Sequence, residues 1–600
     1  MENGDFSRLG GRLGLVQLLL LLIVQTAYAG SATWKTNAIN SSWNDARNWT
    51  PETVPNGPDD VATFATSGIT SIFLSEIEVS EIVFNPGASS FTITSDSFHL
   101  FTVSGLGIIN NSGVTQQFIA DQSLLTPETQ PIQFTNSATA GNGTVFQALG
   151  GIDEDGSGGG KIEFFDSSSA DHASIEIFDA AAPDEAFPGE AIFNPGSTAA
   201  NASFIVHGGV NLRDPGVLGF DGATAAEAEI TNLGGDVGFG EGAHAGNRTV
   251  INQGPGATAF GSTSTAAQAL ITNKGGTSPG DLRIGHTGFT ETATAGVATI
   301  TNEGGNGAGA GAGSTSFSDT STAGSATLIA NAGVDGGAGA SISFYDSSDG
   351  GTARFEVFGN ATLDVASVSG THVPTIGSLE GDGIVNLGAN SLAIGSANSN
   401  TSFAGLIQGT GAVTKVGRGA LTLSNANSFT GGMTLNQGAL IASNLFGSAT
   451  GAGPLQVNAG TLAGTGIIAG ATTIGTGAFL APAAGMNAQA TLTIQSALTF
   501  NADATYTCTF KAKRNRVTTD KVNANGVTIN SGAMILLSGQ IMGALSQGLV
   551  RTVITNTSAH PIRGTFSNLP DGGIITIHGN NFQADYEGGT GNDLTLTVVQ

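Results

Sequence analysis

The sequence predicts an all-β protein wound as a right-handed parallel β-helix, and three observations carry that prediction. Glycine, at 91 of 600 residues, is about twice its average share, while charged residues, at 11%, are less than half theirs. Hydrophobic content of 40% is too high for plain disorder, and no collagen period is present. A unit then recurs from Phe134 to about Phe358: Phe, a short Ser/Thr/Asp run, A-x-x-A-x-I-x-N, and Gly. Finally, the apolar residues inside each unit alternate with polar ones, the period of a strand with one buried face.

The chain opens with a positive segment (Arg8, Arg12), an apolar core from Leu15 to Val24 and the small-x-small triplet Ala27-Tyr28-Ala29. These are the parts of a secretory signal peptide, with cleavage expected after Ala29. Read as a membrane anchor, the apolar core is short for a bilayer. Arg8 and Arg12 are not adjacent, so the twin-arginine route has no support. No later segment resembles a transmembrane helix, and the mature chain is expected to have no transmembrane span.

Trp34, Trp43 and Trp49, the chain's only tryptophans, follow directly and precede "TPETVPNGPDDVATF". An uncovered first coil would expose strand edges, so packing the indoles over that end is the simpler expectation. A sugar-stacking platform is the functional alternative. The cluster with Pro55, Asp59-Asp60 and Phe64 resembles the leader segment that opens many large bacterial secreted β-repeat proteins.

Repeat copies begin at Phe165, Phe193, Phe220, Phe239, Phe260, Phe289, Phe317 and Phe344, with Phe134 a weaker one. Within them Ala228/Ile230/Asn232, Ala269/Ile271/Asn273 and Ala298/Ile300/Asn302 fall on one strand face, and a fourth copy keeps Val250 and Asn252. One such unit buries a single narrow face and forms no core alone; stacked units join those faces into a continuous interior. Inward Asn232, Asn252, Asn273 and Asn302 stand where amides of successive coils can bond as a ladder. Asn331 is displaced by one residue, so the ladder is expected to break there. Coils of roughly 22 residues, spaced ~4.8 Å, give some 25 layers and a rod on the order of 120 Å.

Residues 413–443 read as strand, Asn/Gly turn, strand, Gly turn, strand. Gly419-x-Leu421-Thr422-Leu423, Asn427-x-Phe429-x-Gly431-Gly432 and Gly438-x-Leu440 resemble the autotransporter-associated β-strand repeat of bacterial secreted passenger proteins. That resemblance implies a β-helical passenger and is silent about activity. "GAFLAPAAG" and "YEGGTGNDLTLTV" are similar to the closing segments of such chains. Autotransporters end in a membrane β-barrel, and the last residues before Gln600 lack amphipathic strands of that kind, so a fused barrel is not expected. The organisation expected is a signal peptide over 1–29, a Trp-rich cap over 30–66, degenerate-repeat β-helix over 67–400, β-helix with the 413–443 repeat over 401–510, and a β segment over 511–600 that closes the solenoid.

A net charge of −27 disfavours nucleic acid and anionic lipid as partners and attracts divalent cations by mass action. Cys508 is the single cysteine, which excludes an internal disulfide; in "YTCTF" it shares a strand face with Tyr506 and Phe510 and reads as a buried thiol. Asp153, Glu154 and Asp155 before Gly156 are the calcium candidates, although the twelve-residue EF-hand spacing is not met and a solvated acidic bulge is the simpler reading. No other metal or cofactor is expected: the eight histidines form no H-x-x-x-H pair, and Gly304 to Gly313 is followed by no GK[ST] and reads as a flexible surface turn.

Parallel β-helices include polysaccharide lyases and hydrolases, which need converging carboxylates or a basic residue beside metal-binding acids. Asp59 and Asp60 are adjacent and point oppositely in a strand, while Asp166, Asp171, Asp346 and Asp349 flank turns. The leading expectation is therefore a secreted or surface-exposed bacterial structural and interaction protein, adhesin- or passenger-like and non-catalytic, with glycans or cell-surface and matrix components as partners. A polysaccharide lyase or glycoside hydrolase is the alternative, and a passive envelope or matrix protein a further one.

Overall fold

A computed structural model describes residues 30–122, 129–152, 157–181, 186–208, 214–484, 489–513 and 516–600. The signal segment with its cleavage point after Ala29, and the calcium candidates Asp153, Glu154 and Asp155, lie outside the described residues. The fold is a parallel β-helix whose coils each contribute to three walls.

The first wall starts with Ala32–Trp34 and Gly57–Phe64 and runs to Leu406–Gln408. The second runs through twenty strands, from Ser71–Leu74 to Met534–Met542. Each of these strands pairs in parallel with the coil below and above, so the sheet is an open row and does not close on itself as a barrel. At ~4.8 Å per layer that row is roughly 95 Å long, shorter than the 25 layers expected, because lateral loops consume chain without adding coils.

The third wall is thin at first. Single-residue parallel bridges link Thr139, Ser169, Thr198, Thr224, His244, Thr265, Thr294, Thr322 and Asp349 in succession. From Thr375–Ile376 it widens into a continuous sheet that ends at Val527–Ile529. The first wall continues beyond Gln408 through Asn427–Phe429 and Ser448–Thr450 to Ile467–Ile468, with Ser428 N–H donating to Ile407 O and Ala449 N–H to Ile467 O.

Register aligns one phenylalanine per coil. Phe134, Phe164, Phe193, Phe220, Phe239, Phe260, Phe289, Phe317 and Phe344 stack at centroid distances of 4.4–5.1 Å with planes within 13°. The member in the Phe164-Phe165 pair is Phe164, not Phe165. Ile162 must face inward two residues earlier, and period-two alternation carries Phe164, not Phe165, to that face. Phe134 is a full member of the stack.

The glycine tract Gly304 to Gly313 is not a flexible turn. It is the middle of three stacked loops: Gly276 N–H donates to Gly311 O, Gly305 N–H to Ala338 O, and Asn306 pairs with Val334. A Cβ on Gly304 would sit 2.1 Å from Ala332 O and one on Gly313 2.1 Å from Asn273 O. Glycine is required there by the close approach of neighbouring backbones.

Both ends are covered. At the N-terminus Trp49–Thr50 pairs antiparallel with Ala32–Trp34, and the three indoles pack on one another and on Phe64 at 4.9–6.2 Å. At the C-terminus Asp593–Val599, Asn580–Gly588 and Ile574–Ile577 form an antiparallel sheet on Val550–Asn556. Among the described residues no helix is long and apolar enough to cross a membrane.

Candidate functional site

The inward asparagines stand at the ends of second-wall strands, fully buried and in register. Asn232 Nδ2 donates to Asn252 Oδ1 at 3.2 Å, Asn252 to Asn273 at 2.9 Å, and Asn273 to Asn302 at 2.8 Å. Threonines of the following first-wall strands complete the set: Thr258, Thr287 and Thr315 hydroxyls donate to the Oδ1 of Asn252, Asn273 and Asn302. The ladder ends at Asn302, whose register partner in the next coil is Ala330. A sealed amide row of this kind fixes register and offers nothing to a ligand.

The tryptophans are equally enclosed. Each indole N–H donates to a backbone carbonyl: Trp34 to Ile69, Trp43 to Pro55 and Trp49 to Trp43. None presents a ring face to a sugar.

In the 413–442 region the chain visits the third wall at Val413–Lys415, the second at Ala420–Leu423, the first near Phe429, the third again at Met433–Leu435 and the second at Ala439–Ala442. Asn427 bridges two coils, accepting from Ile407 N–H at 2.7 Å and donating to Ala449 O at 2.6 Å. Gly431 and Gly432 mark backbone crowding: a Cβ on Gly431 would meet Gly411 C at 2.5 Å, and Gly432 has φ +90. One inward residue is a cation. Lys415, 1% exposed, aligns with Ile394 and Leu435 and donates to the carbonyls of Val416 and Gly417. Burial lowers its ammonium to about 8.

The carboxylates considered for catalysis do not converge. Asp166, Asp171 and Asp346 occupy left-handed turn positions, and Asp349 Oδ1 accepts Gly351 N–H. Asp60 accepts the Asn56 N–H. Burial raises Glu163, whose neighbours Lys161 and Glu190 are ion-paired to each other at 3.3 Å on an open wall. His99 and His172 each sit on one adjacent Asp. Among the described residues no three His, Cys, Asp or Glu side chains cluster as metal ligands do. Cys508 is buried, contacts Thr519 Oγ1 and the Asp520 carbonyl, and is pushed up to about 12.

A concave feature suited to a ligand comes from unequal coil lengths. Connections from the second wall to the first are long after Ile177, His207, Asn273 and Asn302, but short between Leu233 and Asp236 and between Asn252 and Ala257. The two short turns leave a saddle of about 830 Å³ between two loop lobes. Its floor is Leu233, Gln253, Gly254 and Pro255; its wall carries Lys274 paired with Glu303 at 2.6 Å and Arg283 paired with Asp281 at 3.0 Å. A small floor rimmed by charged hydrogen-bonding groups suits a polar, hydroxyl-rich ligand. Periodicity hides this site, since it arises from two copies lacking an insertion; the signal was the 20-residue spacing itself.

These walls and ladders define a β-helical repeat protein. Residues 413–442 match the family model described as Passenger-associated-transport-repeat. Repeat and stacked parallel walls together fit an autotransporter passenger-type repeat protein, and that repeat implies a secreted or surface-associated protein. No curated protein matches the chain.

Proposed function

We propose that the chain is a non-catalytic bacterial interaction protein, displayed outside the cell, whose rod holds the saddle at Leu233–Glu303 against glycans of a cell surface or matrix. The passenger repeat at 413–442, continuous with the stacked walls, is the observation that supports this reading. The amide and phenylalanine ladders hold the two lobes at a fixed separation, and the ion-paired Lys274 and Arg283 offer donors while their partners Glu303 and Asp281 offer acceptors to sugar hydroxyls. Among the described residues Asp60, Asp166, Asp171 and Asp349 do not converge and Glu190 is ion-paired with Lys161, which supports binding over hydrolysis. A glycan array with the mature chain, followed by titration of the best glycan against Lys274→Ala and Arg283→Ala, tests the proposal. Binding weakened at least tenfold by either substitution is expected. Glycan binding untouched by both removes the saddle, and release of reducing sugar from a polysaccharide removes the non-catalytic reading.

A further inference from the structure

The saddle continues beyond the lobes that bound it. One step past the amide ladder, Gln253 N–H donates to Asn232 O and Lys274 N–H to Asn252 O, which carries the strand register on. Leu233, Gln253 and Lys274 therefore stand side by side on neighbouring coils. Around the corner the first wall repeats the arrangement, with Asp236 aligned to Ala257 and Ala257 to His286. Gln253 and Ala257 thus belong to one coil that runs between two banks. Leu233 and Asp236 form one bank, Lys274 and His286 the other.

The floor is low and open at both ends. Asp236 and His286 flank the small Ala257 two layers apart, roughly 10 Å at ~4.8 Å each. His286 is fixed by Ser314 Oγ at 2.9 Å and Ser316 Oγ at 3.2 Å. Farther along the strand Ala259 is exposed, and a Cβ on its register partner Gly238 would meet nothing within 4 Å. The connections beyond are tight turns, Ala243 N–H to Gly240 O and Ser264 N–H to Gly261 O, so no loop closes that end. At the other end the floor runs out over the second wall at Ile251, between Thr231 and Thr272. From Gln253 to Ala259 it covers six residues, at most about 20 Å at ~3.3 Å each.

No cation is left free along this course. Lys274 and Arg283 are paired with Glu303 and Asp281, and burial lowers the pKa of His286, which keeps its ring neutral at neutral pH. Asp236 is exposed and has no cation partner among the described residues. The Gln253 amide is also exposed and unpartnered among them, leaving donors and an acceptor in the middle of the floor.

We propose, resting on the saddle's reading as a glycan site, that this groove takes an internal stretch of a neutral, linear glycan laid across the rod from the saddle onto the first wall. The lobes block a course along the rod, so a chain longer than the saddle crosses the corner, where Gln253 meets it. Open ends admit the interior of a chain as well as its termini. An acidic sugar would face Asp236 with no free cation to offset the repulsion, whereas neutral hydroxyls can use the floor and both banks.

The test is titration calorimetry of the mature chain with cellohexaose, maltohexaose, mannohexaose and xylohexaose, the matching disaccharides, and hexagalacturonate. At least one neutral hexasaccharide should bind, about tenfold or more tighter than its disaccharide, with an affinity that does not change with salt. Gln253→Ala should weaken it about tenfold, as expected for one hydrogen-bonding side chain. Ala259→Trp, which fills the groove on the first wall, should bring it down to the level of the disaccharide. Equal affinity for the two lengths, hexagalacturonate bound as tightly, or a folded Ala259→Trp without effect would each overturn the proposal. If that happens while Lys274→Ala still weakens binding, the saddle stands and only the course across the corner falls. If none of these sugars binds, or Lys274→Ala and Arg283→Ala both leave binding intact, the glycan reading falls with it. Melting temperatures check that each variant is folded; length dependence and Gln253→Ala decide if Ala259→Trp is not.

Discussion

Thr258 Oγ1 donates to Asn252 Oδ1 at 2.7 Å, and one coil earlier the register partner of Thr258 is Val237, which has no hydroxyl to give. Asn232 Oδ1 is correspondingly buried without a donor, the one open valence at the start of the amide ladder. Val237→Thr is close in shape and places a hydroxyl where Thr258, Thr287 and Thr315 already serve their asparagines. It should stabilise this coil by about 1 kcal/mol, read as slower amide hydrogen exchange at Val237 and Asn252. Unchanged or faster exchange would show that the orphaned oxygen is satisfied some other way.

Removing a ladder rung has the opposite sign. Asn273→Leu removes one hydrogen bond each from Asn252 Nδ2, Asn302 Oδ1 and the Thr287 hydroxyl, all of which bond to the Asn273 side chain. A loss of about 1–3 kcal/mol is expected, confined to neighbouring coils because stability in a solenoid is nearly a sum of nearest-neighbour terms. Denaturant melts with exchange mapping check both magnitude and locality.

Lys415 makes stability depend on pH in the alkaline range. Its folded value of about 8 lies below the ordinary 10.5, so between those limits the folded lysine is neutral while the unfolded one still holds its proton. The unfolded state then binds more protons, and stability rises with pH across that window. Lys415→Met removes the group, so the difference in melting temperature between wild type and variant should change from pH 7.5 to pH 10.5, in favour of wild type at the upper end. A constant difference would place the ammonium in water.

Cys508 should be inert in the native protein. Its thiol is buried and held near 12, which leaves almost no thiolate at neutral pH. A colourimetric thiol reagent should find no reactive sulfur until denaturant is added, then one per chain. Reaction in buffer alone would mean that the sheet around the strand Thr505–Lys513 opens.

Much of the fold was legible in the residues. Asn232, Asn252, Asn273 and Asn302 recur at one strand offset, and the displaced Asn331 correctly marks where the ladder ends. Phe164 was missed because two phenylalanines are adjacent there and only the inward Ile162 decides between them. The Gly304 to Gly313 tract reads as flexible in isolation; its glycines answer to Ala332 O and Asn273 O, atoms of other coils. Lys415 looks like any polar strand residue until Ile394 and Leu435 are found in line with it.

The sequence by itself determined the strand period, the stacking of units and the chemistry of the core, because alternation and recurrence are local properties that each coil repeats. Only the tertiary structure decided the saddle, the threonine donors and the buried lysine. Each depends on which residue of a neighbouring coil lies across a gap of a few ångströms, and coil lengths that vary from 20 to about 30 residues separate those partners unpredictably along the chain.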